Sequence, residues 1–278
     1  MKNNLVLCAL ALFLFSCQKE IEFDFGNGGG GPRDGLLIKA VSKSGADSIV
    51  INYTYDGSKR LLREKIVGNS EGINVGSDLR IIRNGAGIIT GLVQKSDALQ
   101  QAGIDSIVTK VYYSQGTSRY TSTLSEISLF GFTVKDSTVL VYDGSAKIIR
   151  EDIYQSEPLT GIYVLSFKTE YTFVNGNLDL IKQFDLSGGV SNHVATITYT
   201  YDTKVNLLWL NNEAFIIGNP VLISGNNTGT AQFEDVTDPL NNITITNTYT
   251  YNSFNKPLTG VTTQNPGNMV SDNSFYYQ

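Results

Sequence analysis

The sequence predicts an all-β protein, an antiparallel up-and-down meander of about 14–16 strands that closes into a barrel. One hairpin pattern, first seen at residues 47–66, recurs along most of the chain: an alternating strand, a tight turn and a second strand. The composition agrees, with 27 Gly and only 6 Pro beside 15 Tyr and 13 Phe. Closure would remove both open edges of such a sheet, and a flattened two-sheet sandwich is the alternative.

The first hairpin illustrates the repeat. Tyr53 and Tyr55 share one face of the first strand, while Asn52 and Thr54 share the other. Asp56-Gly57 follows and predicts a turn with a positive φ. The residues that close the first strand of each repeat are Tyr55, Arg83, Tyr113, Tyr142, Phe173, Tyr201 and Tyr251.

One apolar segment near the C-terminal third interrupts the repeat. Leu207–Ile217 is apolar almost throughout, which predicts one short buried helix. Asn206 suits the N-cap, Gly218 suits the left-handed position after the helix, and Pro220 suits the stop beyond it. A fully buried pair of strands is the alternative.

This segment is also the best candidate to fill the barrel interior. A closed sheet of fourteen or more strands is too wide for its own side chains to fill, and protein interiors are close-packed. We therefore expect the helix to enter the barrel with Trp209 and Phe215 as its anchors. The tyrosine face of the strands should point inward, and the face of Thr196, Thr198 and Thr200 should contact water rather than lipid.

The N-terminus is predicted to be a secretory signal, residues 1–16. Lys2 precedes an apolar run, Leu5–Phe15, which is shorter than the roughly 20 residues of a membrane span. Leu14-Phe15-Ser16-Cys17 resembles a bacterial lipobox, and this resemblance implies that Cys17 is the lipid attachment site and carries fatty acyl groups such as palmitate. An uncleaved transmembrane anchor is the alternative.

Residues 17–34 are predicted to be an acidic and Gly-rich tether, and residues 35–278 a single β-barrel domain. Gln18, directly after the cysteine, resembles an outer-membrane sorting signal. The acidic stretch Lys19–Asp24 resembles the surface-export signal of Bacteroidetes-type lipoproteins, with a solvated tether as the alternative. The expected location is therefore the outer membrane or the cell surface, with the lipidated Cys17 as the contact to the membrane.

Charge and cysteine content exclude several functions. The formal net charge is −5, so nucleic acid is not an expected partner. Cys8 and Cys17 are the only cysteines, so the domain can hold neither a disulfide nor a thiolate metal site. His193 is the only histidine; by alternation it shares the face of Ala195, and we interpret it as a rim residue.

Acidic residues do not form a recognisable catalytic or metal site in the sequence. Glu151 and Asp152 are adjacent on a strand and therefore face opposite ways, which prevents them from acting as a glycosidase pair. Glu234-Asp235 and Asp238 could ligate Ca²⁺, but a polar turn before a proline is the preferred interpretation. The sequence thus predicts no catalytic residues, no metal and no cofactor.

Aromatic side chains outside the repeat positions are the remaining ligand candidates, because repeat tyrosines are explained by cross-strand packing. Rings of this kind stack on sugars or contact apolar molecules. The candidates are Trp209, Tyr112, Tyr154 and Tyr163.

The repeat motifs Tyr53-Thr-Tyr-Asp56, Tyr199-Thr-Tyr-Asp202 and Tyr249-Thr-Tyr-Asn252 resemble a family of bacterial lipoproteins of unknown function with a porin-like fold. The resemblance implies a soluble up-and-down barrel and no known activity. We therefore expect a non-enzymatic, lipid-anchored binding module for a glycan or an apolar small molecule. A structural envelope protein without a ligand is the alternative, and a carboxylate-based hydrolase is the third reading.

Overall fold

Sixteen strands and a few short helices make up the described part of the chain. A computed structural model describes residues 36–70, 72–117, 119–129, 132–157, 160–206, 208 and 210–278. The strands are β1 (Leu37–Ser44), β2 (Asp47–Tyr55), β3 (Leu61–Ser70), β4 (Ile73–Arg83), β5 (Ile89–Ser96), β6 (Ile107–Ser114), β7 (Arg119–Leu129), β8 (Phe132–Tyr142), β9 (Ile148–Ser156), β10 (Tyr163–Val174), β11 (Asn177–Asp185), β12 (Asn192–Val205), β13 (Asn226–Asp235), β14 (Ile243–Tyr251), β15 (Pro257–Asn265) and β16 (Met269–Tyr277). The helices are α1 (Asp97–Gln101), α2 (Glu213–Ile216) and two 3₁₀ turns, Pro220–Ile223 and Pro239–Asn241.

The sheet closes on itself. Every strand pairs antiparallel with its neighbours in sequence, and β1 pairs with β16, where Leu37 lies opposite Tyr277 and Lys43 opposite Asp272. No edge is therefore left open in the described sheet. The predicted closed meander is confirmed, and the flattened sandwich is not the observed architecture.

Four of the turns after the first strand of a repeat are held by an acidic or amide side chain, whereas the turn at Asn175-Gly176 has a positive φ at both residues. In the first turn, Asp56 Oδ1 accepts hydrogen bonds from the backbone N–H groups of Ser58 and Arg60, at 2.8 and 2.9 Å. The positive φ lies at Lys59 (63°) and not at Gly57, so the prediction for Gly57 is wrong. The same arrangement recurs at Asn84, Asp143 and Asn252.

Strand alternation separates an enclosed inner face from an exposed outer face, as predicted. Ile51, Ile197 and Tyr199 point inward and are 1%, 6% and 4% exposed. Thr198 and Thr200 point outward and are exposed. The tyrosine face is therefore the inner face of the barrel.

Charged residues on neighbouring strands pair across the outer face. Arg63 binds Asp78 through two hydrogen bonds of 2.6 and 2.7 Å. Lys135 lies 3.1 Å from Glu126, and both side chains are more than 40% exposed. Arg150–Asp152 and Lys168–Glu170 pair within a single strand, and Lys95 pairs with Asp105 in the connection before β6.

A long connection between β12 and β13, residues 206–225, covers one end of the barrel; we call it the plug. Phe215 and Leu222 of the plug are buried, and they belong to the same apolar cluster as Ile148 and Leu178 on the strands. Phe215 is a buried anchor as predicted, but the segment packs at one end of the barrel and does not fill the interior. Leu207 and Trp209 lie outside the described residues.

The helix in the plug is shorter than predicted, four residues instead of eleven. The backbone N–H of Leu210 donates to Leu222 O at 3.0 Å, so the start of the segment pairs with the returning chain rather than forming a helical turn. Asn206 Oδ1 accepts from the backbone N–H of Leu208 at 3.2 Å, but Asn206 is not an N-cap because the helix begins only at Glu213. Gly218 does adopt the predicted left-handed conformation, with φ 78°.

The plugged end, which we call the closed end, also carries both ends of the domain. The backbone N–H of Gln278 donates to Leu36 O at 3.0 Å. The opposite end of the barrel, which we call the mouth, is formed by the connections from each odd-numbered strand to the next. Within the described residues, no helix has the length and apolar character needed to cross a membrane.

Candidate binding site in the barrel interior

A ring of hydroxyl groups fastens the strands at the closed end; we call it the tyrosine collar. The Tyr201 hydroxyl donates to Leu178 O at 2.6 Å, the carbonyl that opens the preceding strand. The other collar tyrosines are Tyr55, Tyr142 and Tyr277, which donate to Leu37 O, Tyr120 O and Pro257 O. A phenylalanine ring would pack as well at these positions, so the hydrogen bond of the hydroxyl explains why they hold tyrosine.

Arg83 occupies a collar position and fixes the plug. Its guanidinium donates to Leu61 O, as a collar tyrosine would, and also binds both carboxylate oxygens of Glu213 in α2 at 2.7 and 2.8 Å. The Arg83 side chain is only 4% exposed. Tyr120 adds a third contact, donating to Glu213 Oε1 at 3.3 Å. The plug is thus held by an ion pair between the buried Arg83 and the partly exposed Glu213, as well as by apolar packing.

Between the plug and the mouth, the inner face is polar and not fully packed; we call this space the lumen. Eight inward-facing polar side chains keep part of their surface accessible, which requires space inside the closed sheet, whereas Ser42, Thr169 and Gln264 on the same face are buried. The eight are Gln94, Thr109, Ser125, Thr138, Gln183, Asn247, Thr262 and Asn273. Hydroxyl and amide groups of this set bond one another across strands, for example Thr262 Oγ1 to Asn247 Oδ1 at 2.7 Å.

Two glutamates also face the lumen. Glu151 on β9 lies opposite Leu140 and Thr169, and Tyr171 donates to its Oε2 at 2.7 Å. Glu64 on β3 lies opposite Tyr53. Burial raises the pKa of each carboxyl to about 7. Both keep a partly accessible surface even though protein encloses them, because the space they face is the lumen.

Sequence reasoning separated Glu151 from Asp152 but did not assign Glu151 to the interior, and it missed Glu64. Glu151 points inward, whereas Asp152 points outward and accepts from Arg150 at 2.9 Å, so the two acids face opposite ways as predicted. The strand that carries Glu64 begins Leu61-Leu62-Arg63-Glu64-Lys65, without apolar alternation. Its register with Tyr53 is what reveals that Glu64 faces inward.

The structure does not bring the predicted aromatic ligand candidates together. Tyr112 and Tyr163 lie on the outer face, 47% and 42% exposed. Tyr154 pairs with Leu165, two residues from Tyr163 on the adjacent strand, so these two rings share the outer face near the mouth. Tyr112 stands apart on β6. Trp209 and the proposed lipid site Cys17 are outside the described residues.

His193 lies on the outer face, which corrects the predicted alternation. The pairing with β11 shifts register between Gln183 and Phe184, and this irregularity turns His193 away from the face of Ala195. The His193 ring packs against Phe184 with 5.3 Å between centroids, and its Nε2 lies 3.0 Å from Thr196 Oγ1. These contacts give the ring a packing role.

The acidic turn considered for Ca²⁺ uses its carboxylates to hold its own backbone. Asp235 accepts hydrogen bonds from Thr237, Asp238 and Asn241, and these bonds, those from Thr237 foremost, lower its pKa to about 2. Asp238 accepts from the backbone N–H of Leu240. Among the described residues, no group of three potential metal-ligating side chains lies together. The polar-turn interpretation therefore accounts for these residues.

The fold and interior together define a class: a closed sixteen-stranded up-and-down barrel with one plugged end and a polar lumen. No protein-family model and no curated protein sequence matches the chain. Two crystal structures resemble it, both of porin-like proteins, from Bacteroides uniformis ATCC 8492 and Bacteroides vulgatus ATCC 8482. Their TM-scores are 0.53 and 0.51 at 11% and 12% identity, and each match covers 87% of this chain and 98% of the other. The likeness is one of fold, and the lipoprotein family indicated by the repeat motifs stays a prediction.

Proposed function

We propose that this protein is a lipid-anchored, non-enzymatic binding protein of the bacterial cell envelope that holds a small ligand in its lumen. The observation that carries the proposal is the incompletely packed polar inner face between the plug and the mouth. A barrel that served only as a scaffold would gain stability from filling this space with apolar side chains. A glycan or an apolar small molecule with polar groups fits such a lining.

The proposal places the barrel in water rather than in a bilayer. Its support is the outer face, which carries paired charges such as Arg63–Asp78 and Lys168–Glu170. An Arg or Lys that faces lipid costs about 2–4 kcal/mol near the middle of a membrane. A barrel with charged residues on successive strands is therefore better matched to an aqueous surface.

Lipidation at Cys17 would attach the barrel to the outer membrane. The support is the lipobox-like Leu14-Phe15-Ser16-Cys17, followed by a Gly-rich stretch before the first strand. Because Leu36 lies at the closed end, the tether would join the barrel there and leave the mouth unobstructed. A small molecule could then enter from the side away from the anchor.

A paired substitution in β8 tests the lumen as the binding site. Thr138 faces the lumen, whereas its neighbour Ser137 faces outward. The full chain is screened by thermal shift against methyl glycosides, oligosaccharides and fatty acids. We expect at least one of these classes to raise the melting temperature of the parent and of Ser137→Trp, and to have no effect on Thr138→Trp, whose ring fills the space.

The result decides between the proposed function and its alternative. A ligand that stabilises Thr138→Trp as well as the parent would bind elsewhere, and the lumen would not be the site. If no compound in the screen raised the melting temperature, the result would favour a structural envelope protein.

A further inference from the structure

Charge is segregated between the two faces of the barrel. Within the described residues, the formally charged side chains that face the interior between plug and mouth are acidic, and they include Glu64, Asp136 and Glu151. The lysines and arginines of the strands project outward or lie at the closed end, where Arg83 is already paired with Glu213. The interior is thus electronegative, and it attracts cations.

Glu151 has a fixed position but no counter-charge. Tyr171 holds one of its oxygens by a 2.7 Å hydrogen bond. No Lys, Arg or His nitrogen of the described residues lies within ion-pair distance of the other oxygen. Burial raises the pKa of Glu151, as expected for a carboxylate that lacks a cation beside it.

A second, independent feature is the hydroxyl group of Tyr199. This side chain projects from β12 into the barrel and is only 4% exposed. Its hydroxyl oxygen makes no hydrogen bond within the described residues. Tyr171 lies opposite Ile181, and Ile181 lies opposite Ile197, two residues before Tyr199 on the inner face of β12. The unpaired hydroxyl and the phenol that binds Glu151 therefore project from the same region of the inner face. A buried hydroxyl without a partner is disfavoured unless another group supplies one.

Aromatic rings of the plug and strands complete this region. Tyr171 contacts Phe215 of the plug edge-on, with 4.9 Å between ring centroids. Tyr199 lies beside Tyr201, with 6.3 Å between centroids. The faces of such rings attract positively charged groups. The base of the lumen therefore combines the Glu151 carboxylate, the buried and unpaired hydroxyl of Tyr199 and the aromatic ring of Phe215 on the plug.

We infer that the base of the lumen, at Glu151, Tyr171 and Tyr199, is a binding site for a primary ammonium group on an apolar molecule. The ammonium donates to the Glu151 carboxylate and to the Tyr199 oxygen, and the apolar part lies against the Phe215 end of the plug. This inference rests on the proposed function, since it names the kind of ligand that the lumen takes.

The test uses butylammonium and its uncharged counterpart butan-1-ol, with methyl β-glucoside as a sugar probe. Binding to the full chain is measured at pH 8 by saturation-transfer NMR and calorimetry. We expect butylammonium to bind at least tenfold more tightly than butan-1-ol. Glu151→Gln, which keeps the size of the side chain, should lower the butylammonium affinity at least tenfold and leave butan-1-ol unchanged.

Two further variants separate binding from folding. Asp152→Asn removes the adjacent acid on the outer face and should change neither probe. Tyr199→Phe should weaken butylammonium binding severalfold without lowering the melting temperature, because the lost hydroxyl has no partner in the fold. A Tyr199 with a merely structural role would lower the melting temperature instead.

Equal affinity for butylammonium and butan-1-ol would overturn the inference. The inference would also fail if butylammonium did not bind, or if Glu151→Gln bound it as tightly as the parent does. If butan-1-ol or the glucoside binds and Thr138→Trp abolishes that binding, the lumen remains the site and only the ammonium class is wrong. If no ligand of any class binds, the proposed function fails as well.

Discussion

The hydroxyl groups of the tyrosine collar explain why the repeat ends in tyrosine. Each collar phenol satisfies a backbone carbonyl where the sheet register shifts, as Tyr201 does for Leu178 O. Arg83 satisfies Leu61 O in the same way with a different chemical group. The repeat thus requires a long side chain that ends in a hydrogen-bond donor. Phe173, which has no such donor, shows that one collar position can do without it.

Adjacent residues on β12 provide a test of the inner and outer faces. Tyr199→Asp should destabilise the fold by about 3 kcal/mol or more, because it buries a negative charge that no cation on the described inner face can pair with. Thr198→Asp should be nearly silent, since that side chain faces water. Chemical denaturation of both variants measures the difference, and equal stability would contradict the assigned faces.

The pKa of Glu64 predicts an unusual pH dependence of stability. This pKa is about 7 in the folded state, above the ordinary glutamate value of the unfolded chain, so the folded state binds more protons between these two values. Stability should therefore fall as the pH rises from about 4.5 to 7, by on the order of 2 kcal/mol for this group. Glu64→Gln should match the parent at pH 4 and exceed it at pH 8.

Thermal melts of parent and variant across this range provide the measurement. Glu151 adds the same trend to both proteins and cancels in the comparison. A difference between the two proteins that does not change with pH would mean that Glu64 titrates normally.

In the hairpin turn at Asp143-Gly144, we expect the acidic side chain to contribute more to stability than the glycine. Asp143→Ala removes the bonds to the backbone of Ser145 and Lys147 and should cost about 1–2 kcal/mol. Gly144→Ala should change stability by less than about 0.5 kcal/mol, because a methyl group there meets open space and φ is not positive. Gly176→Ala, at φ 84°, should cost about 1 kcal/mol. Urea unfolding measures the loss of stability in the three variants. Equal losses in Gly144→Ala and Gly176→Ala would contradict the prediction.

We predict that the ion pair Arg83–Glu213, which attaches the plug, contributes more to stability than the exposed pair Glu126–Lys135. Glu213→Ala should cost about 3 kcal/mol, since it leaves the buried Arg83 guanidinium without its carboxylate. Glu126→Ala breaks the exposed pair with Lys135 and should cost less than about 1 kcal/mol. Denaturant titration and binding of an apolar dye report the loss of the plug. Similar losses in the two variants would mean that the charge pair does not hold it.

Strand alternation and turn residues predicted most of the elements, because both depend on neighbours in sequence. Register irregularities did not follow from the sequence: the shift near Phe184 turns His193 outward, and nothing in that strand alone marks it. The length of the plug helix was overestimated because Leu208 and Leu210 are buried in the apolar cluster without being helical, and the backbone N–H of Leu210 donates to Leu222 O of the returning chain. A tertiary hydrogen bond decided that conformation.

The interior site was harder to foresee than the fold. Glu151 and Asp152 could be assigned to opposite faces, but which face was inside depended on closure of the sheet. Tyr171 and Tyr199 belong to the repeat, and cross-strand packing was a sufficient explanation for tyrosines at repeat positions. Only the hydrogen-bond partners distinguish the open hydroxyl of Tyr199 from the satisfied one of Tyr201.

At the scale of the whole molecule, lipidation remains to be tested directly. Cys17→Ala should abolish acylation and shift the protein out of the membrane fraction, whereas Cys8→Ala should leave both unchanged. Mass spectrometry of the N-terminal peptide, combined with fractionation, provides the measurement. An unacylated N-terminus in protein taken from wild-type membranes would contradict the role of Cys17.

The pairing of β1 with β16 has a consequence for the order in which the chain folds. All other strand pairs join neighbours in sequence, and such hairpins form early because they close short loops. The seam between Leu37 and Tyr277 joins the first strand to the last, so it cannot form until the last strand has been synthesised. Until that moment the growing sheet exposes the edge of β1, which is open to pairing with other chains. The first strand therefore stays exposed to mispairing until the last one is available.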